Sequence, residues 1–226
     1  MKRSSYLSEV FECGDPPQHR KVFLTFDDGP SSVWTPKILD VLAQHGVLAT
    51  FCVLGNRAAD HPELLARMIA EGHEVANHTT THQNLSKCEP HFVRREILKT
   101  NEIIENLCPD VPLRYFRAPY GEWTKEVIAE VENAGLTALH WSVDPRDWSC
   151  PGVDAIVDAV LTSVRPGSIV LMHDGSPLGV SDSQACAASR AQTVIALMRL
   201  IPALQERGFI ISSLPPSRPR NSNICP

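Results

Sequence analysis

Four times along this chain, a segment with helical spacing of apolar residues ends in a glycine and runs straight into a short strand-like stretch. The glycines are Gly46, Gly72, Gly135 and Gly208. Glycine accepts the left-handed conformation that stops a helix, so the recurrence marks one repeated structural unit. The strand-like runs, rich in β-branched and aromatic residues, are 22–26, 50–54, 74–78, 115–119, 138–142, 168–173 and 209–214. Between them, helical periodicity is carried by Ile38, Leu39, Val41 and Leu42, by Leu64, Leu65, Met68 and Ile69, by Val127, Ile128 and Val131, by Ile156, Val157, Val160 and Leu161, and by Ile195, Leu197, Met198 and Leu200. Seven strands alternating with six helices imply right-handed crossovers and a mostly parallel sheet. The order suits either an open doubly wound sheet or a barrel. Strand count and length favour an α/β barrel of about seven parallel strands, one unit fewer than the usual eight.

Composition narrows the function classes. A chain of 226 residues suits one domain or two small ones and needs neither disulfide nor metal merely to fold. A hydrophobic fraction of 43% and a charged fraction of 21% argue against disorder. The net charge of −5 and pI near 6.0 set aside a basic nucleic-acid or anionic-membrane binder. The longest nearly apolar stretch, 46–55, is about half the ~20 residues that cross a bilayer, so no membrane insertion is expected. Met1-Lys2-Arg3 is followed by polar residues where a secretory signal places its apolar core, which predicts a cytoplasmic protein. The seven cysteines are scattered and none forms a Cys-x-x-Cys pair, so neither a disulfide framework nor a cysteine zinc site is indicated. Residues 1–20 are expected to form an edge segment, 21–214 the domain, 175–189 a loop within it, and 215–226 a flexible tail.

The informative polar residues sit where the strands end. Asp27-Asp28-Gly29-Pro30 follows the first strand, and His78-Thr79-Thr80-Thr81-His82 the third. Arg117-Ala118-Pro119-Tyr120-Gly121 ends the fourth, Asp144-Pro145-Arg146-Asp147-Trp148 follows the fifth, and His173-Asp174-Gly175 ends the sixth. In parallel α/β architectures all strand C-termini emerge on one face, which holds the active site. Two histidines and a carboxylate suit zinc or a similar divalent ion with a position left open for water. His78 and His82 share a face if their stretch forms a helical turn, and Asp28 is the third candidate ligand. The bland alternative makes the histidines caps of a turn and Asp27-Asp28-Gly29 a tight turn. Asp27 is the candidate base for the attacking water and His173 the candidate acid for a leaving amine. Arg117 and Asp147 need partners if buried: Asp27 and His173 are the functional choices, an Arg117–Asp147 ion pair the structural one. Trp148 either walls a small apolar pocket with Leu171 or is ordinary core. His45, His61, His73, His91 and His140 carry no assigned role.

Together these residues resemble the polysaccharide deacetylase family, also called the NodB-homology or carbohydrate esterase 4 family. Its five motifs stand in order as Thr25-Phe26-Asp27-Asp28, His78-Thr79-Thr80-Thr81-His82, Arg117-Ala118-Pro119-Tyr120, Asp144-Pro145-Arg146-Asp147-Trp148 and Leu171-Met172-His173, within roughly 20–214. The resemblance implies a distorted (β/α) barrel and one divalent cation, zinc first, with cobalt or manganese as other choices. It implies Asp28, His78 and His82 as metal ligands, Asp27 as base positioned by Arg117, and His173 as acid tuned by Asp147. It further implies an oxyanion contact from the Tyr120 backbone N–H and an acetyl-methyl pocket shaped by Trp148 and Leu171. Segments 67–78 and 138–148 are similar to the family's chitooligosaccharide deacetylases. That similarity implies removal of the N-acetyl group from the non-reducing terminal N-acetylglucosamine of a chitooligosaccharide, in nodulation-signal biosynthesis. The alternatives are a deacetylase of peptidoglycan or xylan, and a non-catalytic carbohydrate-binding protein on the same fold.

Overall fold

Strand β1 (Arg20–Asp27) is buried without interruption from Val22 to its end, as a strand covered on both faces must be. In the computed structural model, which describes residues 20–176 and 185–215, it lies inside a seven-stranded sheet. The other strands are β2 (Thr50–Val53), β3 (Glu74–Asn77), β4 (Tyr115–Phe116), β5 (Thr137–Ala138), β6 (Ile169–His173) and β7 (Phe209–Ile211). The order is β5-β4-β3-β2-β1-β6, with β7 also on β1, and every pairing is parallel. β1 divides its length: Arg20–Val22 pair with β7, and Phe23–Asp27 with β6. The chain leaving β5 reaches back to β6 through one isolated bridge, Val143 to Val170. The result is a parallel sheet curled into a half-barrel, the distorted (β/α) barrel anticipated from the sequence.

Helices α1 (Thr35–Gln44), α2 (Gly55–Asp60), α3 (Pro62–Ala70), α4 (Pro90–Leu107), α5 (Lys125–Asn133), α6 (Val153–Ser163) and α7 (Ala185–Glu206) cover the outside. The four helix-stopping glycines all have positive φ, between 62° and 86°. Val22, Leu24, Phe26, Phe51, Val53, Val75, Val170 and Met172 face outward into the main core beneath the helices. The alternate residues Phe23, Cys52, Ala76, Tyr115 and Ile169 fill the interior, together with Leu139 and Leu214. That period of two has a functional consequence. Continued toward the strand ends, the inward register is occupied by Thr25 and Asp27, by His78, by Arg117, and by Leu171 and His173. The polar cluster is therefore the upper end of the barrel interior.

Three elements differ from expectation. The β2–β3 connection holds two helices rather than one. Helix α4, 18 residues long, falls outside the periodic segments because its buried face includes Glu96 and Thr100 beside Val93, Ile97 and Ile104, which breaks the apolar stripe. The expected loop at 175–189 stops short, since α7 begins at Ala185. Its stretch 177–184, the tail from 216 and the edge segment before Arg20 lie outside the described residues. Among the described residues no helix is long and apolar enough to cross a membrane.

Candidate metal and catalytic site

Asp28 turns into the barrel mouth directly after β1, in the left-handed region with φ of 77°. Its Oδ1 lies 3.1 Å from His82 Nε2 and 3.5 Å from His78 Nε2. One donor atom from each of the three residues falls within 4.8 Å of the others, and all three residues are buried. The His78–His82 stretch is not the helical turn considered above. It is an irregular loop with Thr79 at φ 73° and His82 at φ 61°, and the two imidazoles meet because the loop folds back.

The chemistry of this cluster is that of a divalent-cation site. His78 Nδ1–H donates to the Arg117 carbonyl oxygen at 2.8 Å, which turns the Nε2 lone pair toward Asp28, the usual outer support of a ligating histidine. Asp28 Oδ1 is buried yet has no hydrogen-bond partner, although two ring nitrogens are close. Burial raises the Asp28 pKa, but the neighbouring His78 and His82, with His173 beyond, outweigh it and hold the carboxyl well below its usual range. Two imidazoles and one ionised carboxylate in a buried pocket fit one borderline ion such as zinc.

Asp27 and His173 are register partners on β1 and β6. Arg117, fully buried, donates from Nη1 to Asp27 Oδ1 at 2.6 Å and to Thr25 Oγ1 at 2.8 Å. Asp27 Oδ2 is left facing His78 Nε2 at 3.7 Å. On the other side, His173 Nδ1–H donates to Asp147 Oδ1 at 2.7 Å, and the His173 backbone N–H to Asp147 Oδ2 at 3.0 Å. Burial lowers the His173 pKa, but the Asp147 carboxylate, with Asp28 adding, outweighs it and leaves the value raised. The functional pairings are thus the ones present, and among the described residues Arg117 and Asp147 form no ion pair with each other.

Tyr120, 61% exposed, sets its ring edge-on to His82 at 4.7 Å between centroids. Trp148 is not core: it is 48% exposed, and the Arg146 guanidinium lies 5.1 Å over its ring. Leu171 is buried on the inward face of β6. Sequence reasoning missed Thr193 and Arg190 on α7. The Thr193 hydroxyl donates to Asp147 Oδ2 at 2.7 Å, and Arg190 Nη1 stands 3.9 Å from the same oxygen. It also missed Asp174, fully buried beside the site, whose pKa burial pushes up to about 7.

A family model described as polysaccharide deacetylase matches residues 14–139, more than half the chain and the part that carries Asp27, Asp28, His78, His82 and Arg117. The chain belongs to the polysaccharide deacetylase family. Alignments with individual relatives extend into its second half. A chitooligosaccharide deacetylase from Sinorhizobium fredii (strain NBRC 101917 / NGR234) is 57% identical over 218 residues, 95% of this chain and 99% of the relative. Among solved structures of the family, a peptidoglycan N-acetylglucosamine deacetylase superposes with a TM-score of 0.82 at 36% identity, covering 93% of this chain and 91% of that one. A family pseudoenzyme from Bacillus anthracis superposes with a TM-score of 0.76 at 28% identity, over 88% of this chain and 65% of that one. Within this family the fold therefore does not by itself decide activity.

Proposed function

We propose that this polysaccharide deacetylase removes the N-acetyl group from the non-reducing terminal N-acetylglucosamine of a chitooligosaccharide, as a step in making a nodulation signal. The observation that carries the reading is the joint arrangement at the barrel mouth: a three-residue cation site, with Asp27 and His173 side by side on neighbouring strands. The identity of the S. fredii relative supports the substrate.

Asp28, His78 and His82 would hold the divalent ion, zinc by their chemistry, and Asp27 Oδ2 faces His78 Nε2 at 3.7 Å. When bound, such an ion polarises the acetamide carbonyl and makes a water molecule acidic near neutral pH. Asp27 Oδ2 takes a proton from the attacking water. Arg117, bonded to Oδ1 at 2.6 Å, fixes the orientation of the Asp27 carboxyl group. The water oxygen adds to the acetamide carbon, and the Tyr120 backbone N–H faces the oxyanion, a contact worth roughly 3 kcal/mol in comparable sites. His173 Nε2 donates its proton to the sugar nitrogen as the carbon–nitrogen bond breaks, releasing acetate and a free amine. Asp147 bonds Nδ1 so that the proton to be given stands on Nε2. Trp148 and Leu171 border the acetyl methyl group.

The test incubates zinc-loaded protein with defined chitin tetramers and pentamers and sequences the products by mass spectrometry. Loss of one acetyl group, at the non-reducing end, is the expected result. Acetate release only from peptidoglycan fragments or acetylated xylan would move the chain to the other substrate class, and release from none of them would make it a binding protein.

A further inference from the structure

The loop that carries both histidines is held in an unfavourable shape. Thr79 and His82 have left-handed φ, a region that β-branched residues in particular avoid. Something outside the loop must hold it there, and α4 does so. Glu96, buried on that helix, accepts at Oε2 from the Thr80 N–H at 3.1 Å, the Thr81 N–H at 2.8 Å and the Thr81 hydroxyl at 2.9 Å. The Thr80 hydroxyl donates to the Glu96 carbonyl oxygen at 3.0 Å. Asn77 accepts from the Thr79 N–H at 2.8 Å, and Thr79 Oγ1 from the His82 N–H at 3.0 Å. The loop carbonyls are met from below: the Gly55 and Asn56 N–H groups, at the start of α2, donate to Thr79 and Thr80 at 2.9 and 3.2 Å.

We propose that Glu96 is a positioning residue for metal binding: from α4, its carboxylate fixes the loop between His78 and His82 so that both imidazoles face Asp28. One buried carboxylate oxygen collecting three donors makes charge-assisted bonds, stronger than neutral ones. Those bonds hold Thr80 and Thr81, two of the three residues between the ligands, so they restrain where His82 stands relative to His78. Without them the loop relaxes from its left-handed residues, and the cation must supply the free energy that re-forms the pocket. The inference rests on the metal-site reading above.

The experiment measures zinc affinity of the metal-free protein by competition with a chromophoric chelator, beside its melting temperature, for wild type, Glu96→Gln, Glu96→Ala, Thr81→Val and His82→Ala. Loss of supporting groups around metal ligands costs about 10- to 100-fold in affinity, and Glu96→Ala should fall in that range. Glu96→Gln keeps the accepting oxygen without its charge and should recover part of the loss, and Thr81→Val, which removes one of the three donors, should lose less than Glu96→Ala. Wild-type zinc affinity in folded Glu96→Ala, with only the melting temperature lowered, would reduce Glu96 to a structural staple and overturn the proposal. If Glu96→Ala does not fold, wild-type affinity in both Glu96→Gln and Thr81→Val overturns it equally. Failure of the metal reading itself looks different: wild type and His82→Ala would then bind zinc equally poorly, and the inference would fall with it.

Discussion

Gly29 follows the two site aspartates, and a methyl group there has nowhere to go. A Cβ at this position stands 2.0 Å from Asp174 Oδ2 and 2.4 Å from its Cγ, far inside the ~3.5–4.0 Å at which non-bonded atoms rest. Asp174 cannot swing aside cheaply. It is fully buried, the Thr35 hydroxyl donates to its Oδ2 at 2.5 Å, and its backbone N–H bonds the Asp27 carbonyl oxygen at 3.1 Å. Gly29→Ala must therefore displace the carboxyl from Thr35, leaving a buried polar group unsatisfied at about 1–3 kcal/mol, or lift the 27–29 turn, an overpacking cost of about 1–3 kcal/mol. With some of each, the total is about 3 kcal/mol. For a chain of this length each kcal/mol lowers the melting temperature by roughly 2–4 °C, so calorimetry of the metal-free protein should show a loss of roughly 6–12 °C. The same substitution in an Asp174→Ser background, where the carboxyl is gone, should cost about 1 kcal/mol or less, a coupling of about 2 kcal/mol between neighbours. A Gly29→Ala protein melting within roughly 2 °C of wild type, or an equal cost in both backgrounds, would refute the steric argument.

Asp27→Asn should abolish turnover while zinc binding survives, whereas His78→Ala should weaken zinc retention itself. Acetate release and chelator competition on the two variants separate the roles, and full activity in Asp27→Asn would remove it as base. Asp147→Asn takes away the charge that raises the His173 pKa, so His173 loses its proton at lower pH than in wild type. The alkaline limb of the kcat profile must then move toward lower pH, and an unmoved limb would show that His173 is not the group titrating there.

Much of the architecture was legible because it repeats. The glycine-stopped helices and the β-branched runs announced seven strands, and the polar residues after strand ends announced one shared face. Their pairing was less legible. A sequence does not say whether Arg117 reaches Asp27 or Asp147, since both are residues of the same charge at strand ends, and only the curl of the sheet, which brings the inward side chain after β4 to the inward end of β1, settles it. Helix α4 escaped because Glu96 and Thr100 interrupt its apolar stripe, and those polar positions are the ones that hold the histidine loop. Thr193 and Arg190 carry no local signal at all, as they lie about twenty residues beyond His173 in a helix that reads as ordinary surface and core.

Residue type and spacing along the chain were enough to name the chemistry here, because a cation site needs imidazoles and a carboxylate, and strand parity sends every second side chain inward. What closes the site is different in kind. The left-handed turn of His82, the contact of Gly29 with Asp174 and the grip of α4 on the threonine loop all depend on distances between segments far apart in sequence, and such distances exist once the half-barrel has packed. Composition and period act locally, while the energy of a buried charge is set by whatever the fold brings within hydrogen-bond reach.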